Sequence, residues 1–451
     1  MHTSNNHKPS FHQAEKKLNE FTFDGMQLGS TMAFFFDRMW WKDIRFTYVQ
    51  LCQNCVRILF KSINKRSYLI NNHAALIYLK TGGSRHHYSM ENAIRQVHTQ
   101  EKPVLVIGPE GEADLSTGAV FYHVGWKDLL HIKLYVIQQL KPINSILKQT
   151  ALSPAQRRLF KVYLVQQLLM ELSAKRFLQH QSGVKVIGVD YDRNSLSSML
   201  ITAAKSLGLS TFTLQHGIMY PPCGYVPVLA HRCLAWGEMA KQQFISMGES
   251  PETIELVGTP IVEPITLTPE AREKVRADYN LGSGKTWLLA LSGPNYDLET
   301  KLAQFFKHIK ETLGGPADNF LVKTHPSFRT IDYNWLESDY GLTLLKPDVP
   351  YAAVMNVVDV LLTHTSGIAT EAIYYGKQVG IIDVPGYDAG SGRELCRYLD
   401  VPLLQKPSDA HQLLQATDPT TRESIARRVY YLTGKAAANE IAHRLSMLLE
   451  S

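Results

Sequence analysis

Short apolar runs alternate with helix-like segments along most of this chain. A first series of runs occupies residues 104–108, 184–189 and 211–214, and the stretch 195–208 has the pattern of a helix that ends at a glycine. A second series occupies residues 231–236, 254–258, 287–292, 320–324, 342–345, 357–363 and 379–383. Apolar runs separated by helical segments are typical of βαβ units around a buried parallel sheet. The pattern therefore predicts an α/β fold.

A Pro/Gly-rich break at residues 221–227 separates the two series. The chain has 451 residues, which is more than one hydrophobic core usually serves, so two domains are expected. We place the boundary near residue 228, with an N-terminal domain over 1–228 and a C-terminal domain over 229–451. The first hundred residues read as helical additions, and one helix over 419–449 is expected to end the chain. Two doubly wound sheets of this kind would face a cleft and bind ligands at the carboxyl ends of their strands.

Composition narrows the class of protein. Hydrophobic residues make up 45% of the chain and charged residues 20%, which is ordinary for a soluble globular protein. We find no secretory signal and no apolar run of the roughly 18 residues that a membrane span needs. Five scattered cysteines form no disulfide framework, so a cytoplasmic location is expected. The net charge of +6 fits an anionic substrate or an acidic membrane surface, whereas no motif or dense Lys/Arg block predicts a nucleic-acid partner.

One candidate anion site ends a strand of the second series. Lys323, His325 and Pro326 lie at the end of the run 320–324, where a cation and an imidazole would meet a ligand at the sheet edge. Pro326 stops the strand and sets the direction of the exit. Taken alone, His325 could equally be a structural residue or a ligand-binding one.

A second candidate site follows about forty residues later. Thr365, Ser366 and Gly367 separate a predicted strand from a helix, which Ser366 or Thr365 can cap. Small residues there let a phosphate approach free backbone N–H groups at the positive end of the helix dipole. Glu371, one turn inside the helix, could accept hydrogen bonds from ribose hydroxyls. Ser366 could instead be only a cap and Glu371 a solvated residue, but the succession of the two motifs in adjacent βα units favours a nucleotide site.

Two loops of the first series also carry polar residues. Gln215, His216 and Gly217 directly follow the run 211–214, and His216 could contact a phosphate or a sugar. Glu110 stands between two glycines after the run 104–108, which would expose its carboxylate. Glu110 could serve in general acid/base catalysis or belong to a plain turn.

Asp190 and Asp192 form an acidic loop after the run 184–189. Carboxylates at this D-x-D spacing can hold Mg²⁺ or Mn²⁺, but the pattern is short and common. One of them could instead be a catalytic nucleophile or base, and Asp192 or Asn194 could simply cap the next helix. Cys52 and Cys55 form one C-x-x-C without further ligands, which favours one face of a helix over a zinc site.

These residues together resemble bacterial surface-polysaccharide glycosyltransferases of the GT-B fold, as found in capsule and O-antigen synthesis. The segment 203–217 resembles the helix, strand and Gln-His-Gly of those enzymes, and residues 256–260 resemble their linker into the second domain. The Lys-x-His-Pro and Ser-Gly…Glu-Ala motifs resemble their nucleotide-binding motifs, and also those of bacterial sialyltransferases. The resemblance covers roughly residues 184–385. Within this group the chain is most similar to the retaining β-Kdo transferases, which use CMP-β-Kdo.

The resemblance implies a transfer reaction and a role in it for each candidate site residue. In that family an aspartate forms a covalent Kdo adduct, a role that falls here on Asp190 or Asp192 without a choice between them. A family glutamate corresponds to Glu110, which would assist proton transfer, and His216 would contact the phosphate or carboxylate of the donor. The nucleotide-binding motifs would stabilise the departing CMP phosphate without a metal, so no cofactor is expected. Two inversions would give net retention.

The implied partners are a CMP-sugar donor and a glycan or lipid-linked glycan acceptor. Aromatic residues at 34–41 and a basic stretch at 61–66 could place the N-terminal domain on the cytoplasmic face of the inner membrane, although a core role for the aromatics is slightly favoured. Alternative donors are a sialic acid, CDP-glycerol or a UDP-sugar. Two further alternatives are a UDP-sugar 2-epimerase and a non-catalytic subunit of polysaccharide assembly.

Overall fold

The computed structural model of the chain divides into two compact units. It describes residues 8–40, 74–81, 85–99, 101–108, 124–218, 224–262, 267–293, 295–324, 331–346, 351–387, 389–415 and 419–450. The first unit comprises Met1–Ala235, Lys241–Val257 and Ala436–Ser451, and the second comprises Trp236–Ala240 and Gly258–Lys435.

A parallel sheet of six strands forms the centre of the first unit. Its strands are β3 (Leu76–Leu79), β4 (Val104–Ile107), β5 (Val186–Val189), β6 (Ser210–Leu214), β7 (Arg232–Ala235) and β8 (Ile254–Leu256). Their spatial order is β4-β3-β5-β6-β7-β8, and every neighbouring pair is parallel. Strands β3, β4 and β5 are buried along their whole length, which explains their unbroken apolar sequences. A small antiparallel hairpin of β1 (Thr22–Phe23) and β2 (Met26–Gln27) precedes the sheet.

A second parallel sheet of six strands forms the centre of the second unit. Its strands are β9 (Thr286–Ala290), β10 (Asn319–Lys323), β11 (Thr343–Leu344), β12 (Val360–Thr363), β13 (Gln378–Ile382) and β14 (Leu403–Leu404). Their order is β11-β10-β9-β12-β13-β14. This is the order of the doubly wound dinucleotide-binding fold, in which winding starts at an internal strand and proceeds in both directions.

Helices connect and cover these strands. Those of the first unit are Lys8–Leu18, Leu28–Thr31, Ala33–Trp40, Arg85–Arg95, Trp126–Gln138, Leu140–Lys148, Pro154–Gln179, Ser195–Ser206 and Gly434–Glu450, with Glu238–Ser246 spanning both units. Those of the second unit are Pro269–Asp278, Tyr296–Leu313, Trp335–Ser338, Tyr351–Val357, Ile368–Tyr374, Ala389–Leu399 and Pro419–Val429. Short 3₁₀ helices occupy Pro251–Thr253 and Pro407–Leu414. Among the described residues, no helix is both long and apolar enough to cross a membrane.

The predicted fold class, α/β with two Rossmann-like domains and helical N-terminal additions, is confirmed by the two parallel six-stranded sheets and the N-terminal helices. All ten predicted strands exist, although the run 357–363 begins as a strand only at Val360 because a helix ends at Val357. Strand β3 was missed, since the first hundred residues were expected to be helical. The single helix expected over 419–449 is two helices with a break between Val429 and Gly434, where Gly434 has a φ of 52°.

The domain boundary expected near residue 228 differs from the division in the structure. Strands β7 and β8 lie beyond residue 228 but pair in the first sheet, because β7 continues the parallel ladder of β6. The last helix also returns to the first unit, where the Nζ of Lys185 donates to the Leu449 carbonyl at 2.9 Å and Lys102 pairs with Glu450 at 2.8 Å. Sequence order therefore does not separate the two domains.

The aromatic residues near the N-terminus belong to a hydrophobic core. Phe35 and Phe36 are 4% and 1% exposed, and both pack against Phe160 of the long helix Pro154–Gln179. This finding favours the core role over the membrane role for the described part of the stretch 34–41. The basic stretch 61–66 and the pair Cys52 and Cys55 lie outside the described residues.

A buried guanidinium joins the N-terminal helices to the loop after β5. Arg193 is fully buried and donates to both oxygens of Glu15 and both of Asp37, at 2.8–3.0 Å. It also donates to the Pro227 carbonyl at 2.8 Å. Burial, outweighing the favourable charge of Arg193, raises the pKa of Glu15 to about 6. The cluster fixes the loop that carries the predicted acidic residues.

Substitution of Arg193 by methionine should strongly destabilise the first unit. The change leaves Glu15 and Asp37 buried without their cation, a loss that typically costs about 3–5 kcal/mol of unfolding free energy. Urea denaturation of the two proteins measures the difference. Arg444→Met, which removes a partly exposed ion pair with Glu440, is the matched control and should cost only about 0.5 kcal/mol. Equal losses in the two variants would contradict the assigned role of Arg193.

Candidate functional site

The winding of the first sheet reverses between β3 and β5, and polar residues meet at that point. The chain passes from β3 outward to β4 on one side and from β5 outward to β6 on the other. Such a switch point leaves a crevice at the carboxyl ends of the two strands, where α/β proteins bind ligands. Here Thr81 follows β3 and Asp190 follows β5.

Asp190 is held in this crevice by Thr81. Its Oδ2 accepts the backbone N–H of Thr81 at 2.8 Å, and the Thr81 hydroxyl donates to its two oxygens at 2.9 and 3.0 Å. Burial raises the pKa of Asp190 to about 6, against the opposing effects of the Thr81 hydrogen bonds and the Lys80 charge. The result is a desolvated carboxylate that is ionised at neutral pH and fixed in orientation, which suits a nucleophile or a base.

A buried cation lies beside this carboxylate. Lys80 is fully buried and forms an ion pair with Glu91 at 2.5 Å, while Glu91 also accepts from Arg95 at 2.8 Å. Burial alone would raise the pKa of Glu91, but its hydrogen bonds to Lys80 and Arg95 outweigh burial and lower it. The charge of Lys80 acts to lower the pKa of Asp190, against the larger effect of burial.

Three partly exposed rings lie in the loops that follow β5 and β6. Tyr191 directly follows Asp190, and its ring centre is 4.5 Å from that of His216, which follows β6. The Tyr225 ring stacks on His216 at 4.7 Å with an interplanar angle of 5°. A Cβ at Gly217 would lie 2.8 Å from the Tyr225 hydroxyl, so a larger residue there would displace the tip of the Tyr225 side chain. The rings offer an apolar face with polar tips, which is suited to stacking on a sugar or a base.

The two acidic residues of the loop have different surroundings. Asp192 is 3% exposed, and its Oδ2 accepts the backbone N–H groups of Leu229 and Ala230 at 2.7 and 3.2 Å. Asp192 thus holds the segment that enters β7. The N-cap of the helix Ser195–Ser206 is Asn194, so Asp192 does not have the capping role considered from the sequence. Gln215 is also buried, and its Nε2 donates to the Gly217 carbonyl at 2.9 Å, which shapes the loop around His216.

The second sheet has its own switch point between β9 and β12. The loop after β9 contains Ser292 and Gly293, and the loop after β12 contains Thr365, Ser366 and Gly367. The N–H of Thr365 donates to the Ser292 hydroxyl at 3.4 Å, which brings the two loops together. In this strand order the nucleotide phosphates of known proteins bind at the corresponding crevice.

The predicted cap of the helix Ile368–Tyr374 is a different residue. Its N-cap is Gly367, without a side-chain cap, and the Ser366 hydroxyl accepts only a long bond of 3.4 Å from the Ile368 N–H. This arrangement favours ligand binding, because the weakly bonded Ser366 hydroxyl and the small residues beside it leave the first turn of the helix open to a ligand. Glu371 lies in the first turn and is half-buried, and its charge contributes to raising the pKa of the Tyr430 hydroxyl, although burial is the main cause.

Further polar residues end the neighbouring strands of the second sheet. Lys323 ends β10 and is 7% exposed. The His364 ring is buried with its Nδ1 2.8 Å from the Ile382 carbonyl, so this nitrogen donates and Nε2 faces the opposite way as the second polar atom. Asp383 follows β13 and pairs with Arg393 at 3.3 Å, while its buried Oδ1 has no hydrogen-bond partner within the described residues. Such an orphan acceptor is expected where a ligand donor completes the site.

Three predicted site residues lie outside the described residues: Glu110, His325 and Pro326. Their assignments remain predictions from the sequence. In the described ranges there is no group of three or more His, Cys, Asp or Glu side chains placed to hold a metal ion. Metal independence also remains a prediction.

Several site residues were missed from the sequence. Lys80 and Thr81 were missed because strand β3 was missed with them, and Tyr191 and Tyr225 carry no motif. Ser292 could have been found, because Ser-Gly-Pro-Asn, which begins at the last residue of the run 287–292, is the first strand-to-helix turn of a doubly wound series.

Replacement of Asp192 by asparagine should change how stability depends on pH. Burial raises the folded-state pKa of Asp192 from 3.8 to about 6, so the folded protein binds this proton more tightly than the unfolded chain. The stabilisation that comes from the bound proton is fully present below pH 3.8, the unfolded-state pKa. It is lost as the pH rises through the folded-state pKa of about 6. Urea denaturation across this interval should show the wild type losing unfolding free energy relative to Asp192→Asn, which keeps an acceptor but cannot titrate. A pH-independent difference would argue against a buried ionisable Asp192.

No protein-family model and no curated protein matches the chain. Among solved structures, it is similar to the wall teichoic acid polymerase TagF, with 11% identity, a TM-score of 0.49 and coverage of 90% of this chain and 99% of that chain. It is similar to a putative UDP-N-acetylglucosamine 2-epimerase from Listeria monocytogenes, with 13% identity, a TM-score of 0.48 and coverage of 84% and 97%. It is also similar to a UDP-GlcNAc 2-epimerase from Methanocaldococcus jannaschii, with 12% identity, a TM-score of 0.47 and coverage of 82% of this chain and 99% of that chain. At these values the likenesses carry no argument about the reaction, and the fold class rests on the two sheets themselves.

Proposed function

We propose that the chain is a nucleotide-sugar-dependent glycosyltransferase that moves Kdo from CMP-β-Kdo to a surface-polysaccharide or glycolipid acceptor with retention. The observation that carries the proposal is the Asp190 carboxylate, buried at a switch point and oriented by Thr81. A retaining transfer needs a carboxylate nucleophile of this kind. The resemblance of the motifs to β-Kdo transferases supplies the identity of the donor.

Of the two candidate nucleophiles, Asp190 is the one we propose. One oxygen of Asp190 is held by a backbone N–H, whereas the other accepts from a hydroxyl that can rotate away. We propose Oδ1 as the attacking atom, because its Thr81 hydroxyl donor can rotate while the Thr81 backbone N–H keeps Oδ2 anchored. Asp192 is occupied by two backbone N–H groups that pin the entry to β7, so its role is structural.

The first step breaks the bond between the anomeric carbon and the phosphate oxygen of the donor. Asp190 attacks the carbon, and CMP leaves with the electron pair of the broken bond. Lys323, His325 and the helix start at Ser366 and Gly367 would bind the phosphate and stabilise its developing charge. Glu371 and the orphan Oδ1 of Asp383 would accept hydrogen bonds from hydroxyl or amino groups of the nucleoside.

The second step transfers the sugar from Asp190 to an acceptor hydroxyl. The hydroxyl oxygen attacks the anomeric carbon, the aspartyl ester bond breaks, and Asp190 is restored as a carboxylate. Glu110 would take the proton of the hydroxyl. The rings of Tyr191, His216 and Tyr225 would stack on the sugar and fix its orientation.

Thermal unfolding with CMP, CDP, UMP, UDP and GDP, each with and without Mg²⁺, tests the donor site. Ligands that bind only the folded state raise the unfolding temperature, so CMP alone should do so, independently of Mg²⁺. Lys323→Met should lose the CMP effect, whereas Lys301→Met, in an exposed ion pair with Asp297, should keep it. Stabilisation by UDP or CDP instead would replace Kdo by another donor. Nucleotide binding without any transfer would favour a non-catalytic assembly subunit.

Substitution of Asp190 by asparagine should abolish transfer while leaving nucleotide binding intact. A neutral amide cannot form the glycosyl ester, so kcat should fall by about 10³-fold or more. Intact-mass measurement of the wild type with donor alone should show a sugar adduct that the variant lacks. The wild-type kcat/KM should fall as the pH drops below about 6, because Asp190 becomes protonated. Full activity of Asp190→Asn would eliminate the proposed mechanism, and Asp192→Asn, which keeps its hydrogen-bond acceptor, serves as the matched control.

A further inference from the structure

The helix Trp126–Gln138 carries a row of exposed apolar side chains. Trp126, Leu130, Leu134 and Ile137 are 57%, 58%, 51% and 60% exposed. Among the described residues only eight large hydrophobic side chains are exposed, and these four account for half of them. Exposed apolar residues that stand alone are ordinary, but a contiguous patch marks an interaction surface.

The geometry of the helix places the four side chains on one stripe. With 3.6 residues per turn, they fall within an arc of about 80° and span about 16 Å along the axis. The opposite face is well packed, because Leu129, Ile132 and Val136 belong to the buried core of the first unit. The helix is therefore firmly seated by one apolar face and presents a second one outward.

Two lysines flank this stripe. The helix geometry puts Lys133 about 20° beyond one edge of the stripe and Lys127 about 20° beyond the other, and both lysines are exposed. Residues 126–161 contain seven Lys or Arg and one acidic residue, so this segment alone carries an excess of positive charge equal to the +6 of the whole chain. The acidic residue, Asp128, is already neutralised by Arg176 at 2.7 Å.

We propose that the stripe Trp126–Leu130–Leu134–Ile137 docks the first unit on a bilayer surface that contains anionic lipids. The helix would lie in the plane of the interface, with its outer apolar face among the acyl chains and its lysines at the headgroups. A hydrophobic stripe flanked by lysines is the pattern of interfacial helices. The Trp126 indole suits the boundary because it joins a large apolar ring to one polar N–H.

Charge also argues against a second copy of the chain as the occupant. A two-fold interface through this stripe would bring the lysines of both copies face to face and bury them against like charge. A helix of 13 residues is also too short to span a bilayer, so the docking is peripheral. The inference does not depend on the donor, and it would bring the enzyme to acceptors that are anchored in lipid.

Vesicle flotation tests the docking surface. The full chain is mixed with phosphatidylcholine vesicles, with or without about one-third phosphatidylglycerol, at low salt. The wild type should float with the anionic vesicles, and the double variant Leu130→Ser/Leu134→Ser should bind them about tenfold or more weakly. Tyr431→Ser/Met447→Ser removes two equally exposed apolar side chains elsewhere and should bind like the wild type. Because all four positions are exposed, unfolding temperatures should stay unchanged.

Two further experiments separate the contribution of the lysines to vesicle binding from that of the Trp126 side chain. Lys127→Gln/Lys133→Gln should lose about tenfold in binding to anionic vesicles, and high salt should weaken the wild type similarly. The wild-type tryptophan emission should shift to shorter wavelength on vesicles, and Trp126→Phe should remove the shift.

Several results would overturn the proposal. These are failure of the wild type to bind anionic vesicles, undiminished binding by Leu130→Ser/Leu134→Ser, or a tryptophan shift that survives Trp126→Phe. A wild-type dimer in sedimentation equilibrium that becomes monomeric in Leu130→Ser/Leu134→Ser, without vesicle binding, would assign the stripe to self-association instead. None of these outcomes depends on transferase activity, so the docking and the proposed function can fail separately.

Discussion

Reversal of winding direction within each parallel sheet is the constraint on which the candidate sites depend. A parallel strand can be followed by its neighbour only through a crossover, and crossovers that leave in opposite directions part the loops above two adjacent strands. In the first unit the parted loops carry Thr81 and Asp190, and in the second unit they carry Ser292 and Thr365. No other pair of adjacent strands in either sheet has crossovers that part in this way. The polar chemistry of the described residues is therefore concentrated where the topology leaves room for a ligand.

Buried charge stabilises the first of these sites in a particular arrangement. Arg193, Glu15 and Asp37 are removed from water together, and so are Lys80 and Glu91. Such groups contribute little net stability compared with apolar residues, but each becomes costly when its partner moves. The loop after β5 is thus restricted to one conformation, with Asp190 directed to Thr81 and Asp192 directed to the start of β7. Rigid support of this kind fixes the orientation of both carboxylates.

The sequence predicted the strands well because they are buried on both faces. Residues 186–189 and 287–291, for example, have no polar interruption, and that signal is local. It failed for β3, although residues 74–79 are also an apolar run, because the surrounding first hundred residues were read as helical. It failed again at the domain boundary, because the membership of β7 in the first sheet depends on long-range pairing with β6. The choice between Asp190 and Asp192 was also beyond local patterns, since it depends on partners at Thr81 and Leu229 that are distant along the chain.

The return of the last helix to the first unit has a consequence for biosynthesis. Strands β3 to β8 are all translated before the main segment of the second unit, Gly258–Lys435, whereas nearly all of the helix Gly434–Glu450, which bonds to Lys185 and Lys102, is translated after that segment. Domains tend to fold in the order in which they are synthesised. Here the second unit can reach its final structure first, while the first one waits for its last segment with part of its surface uncovered. A nascent chain stalled before residue 434 would therefore carry a finished second unit and a first unit that still lacks its closing helix.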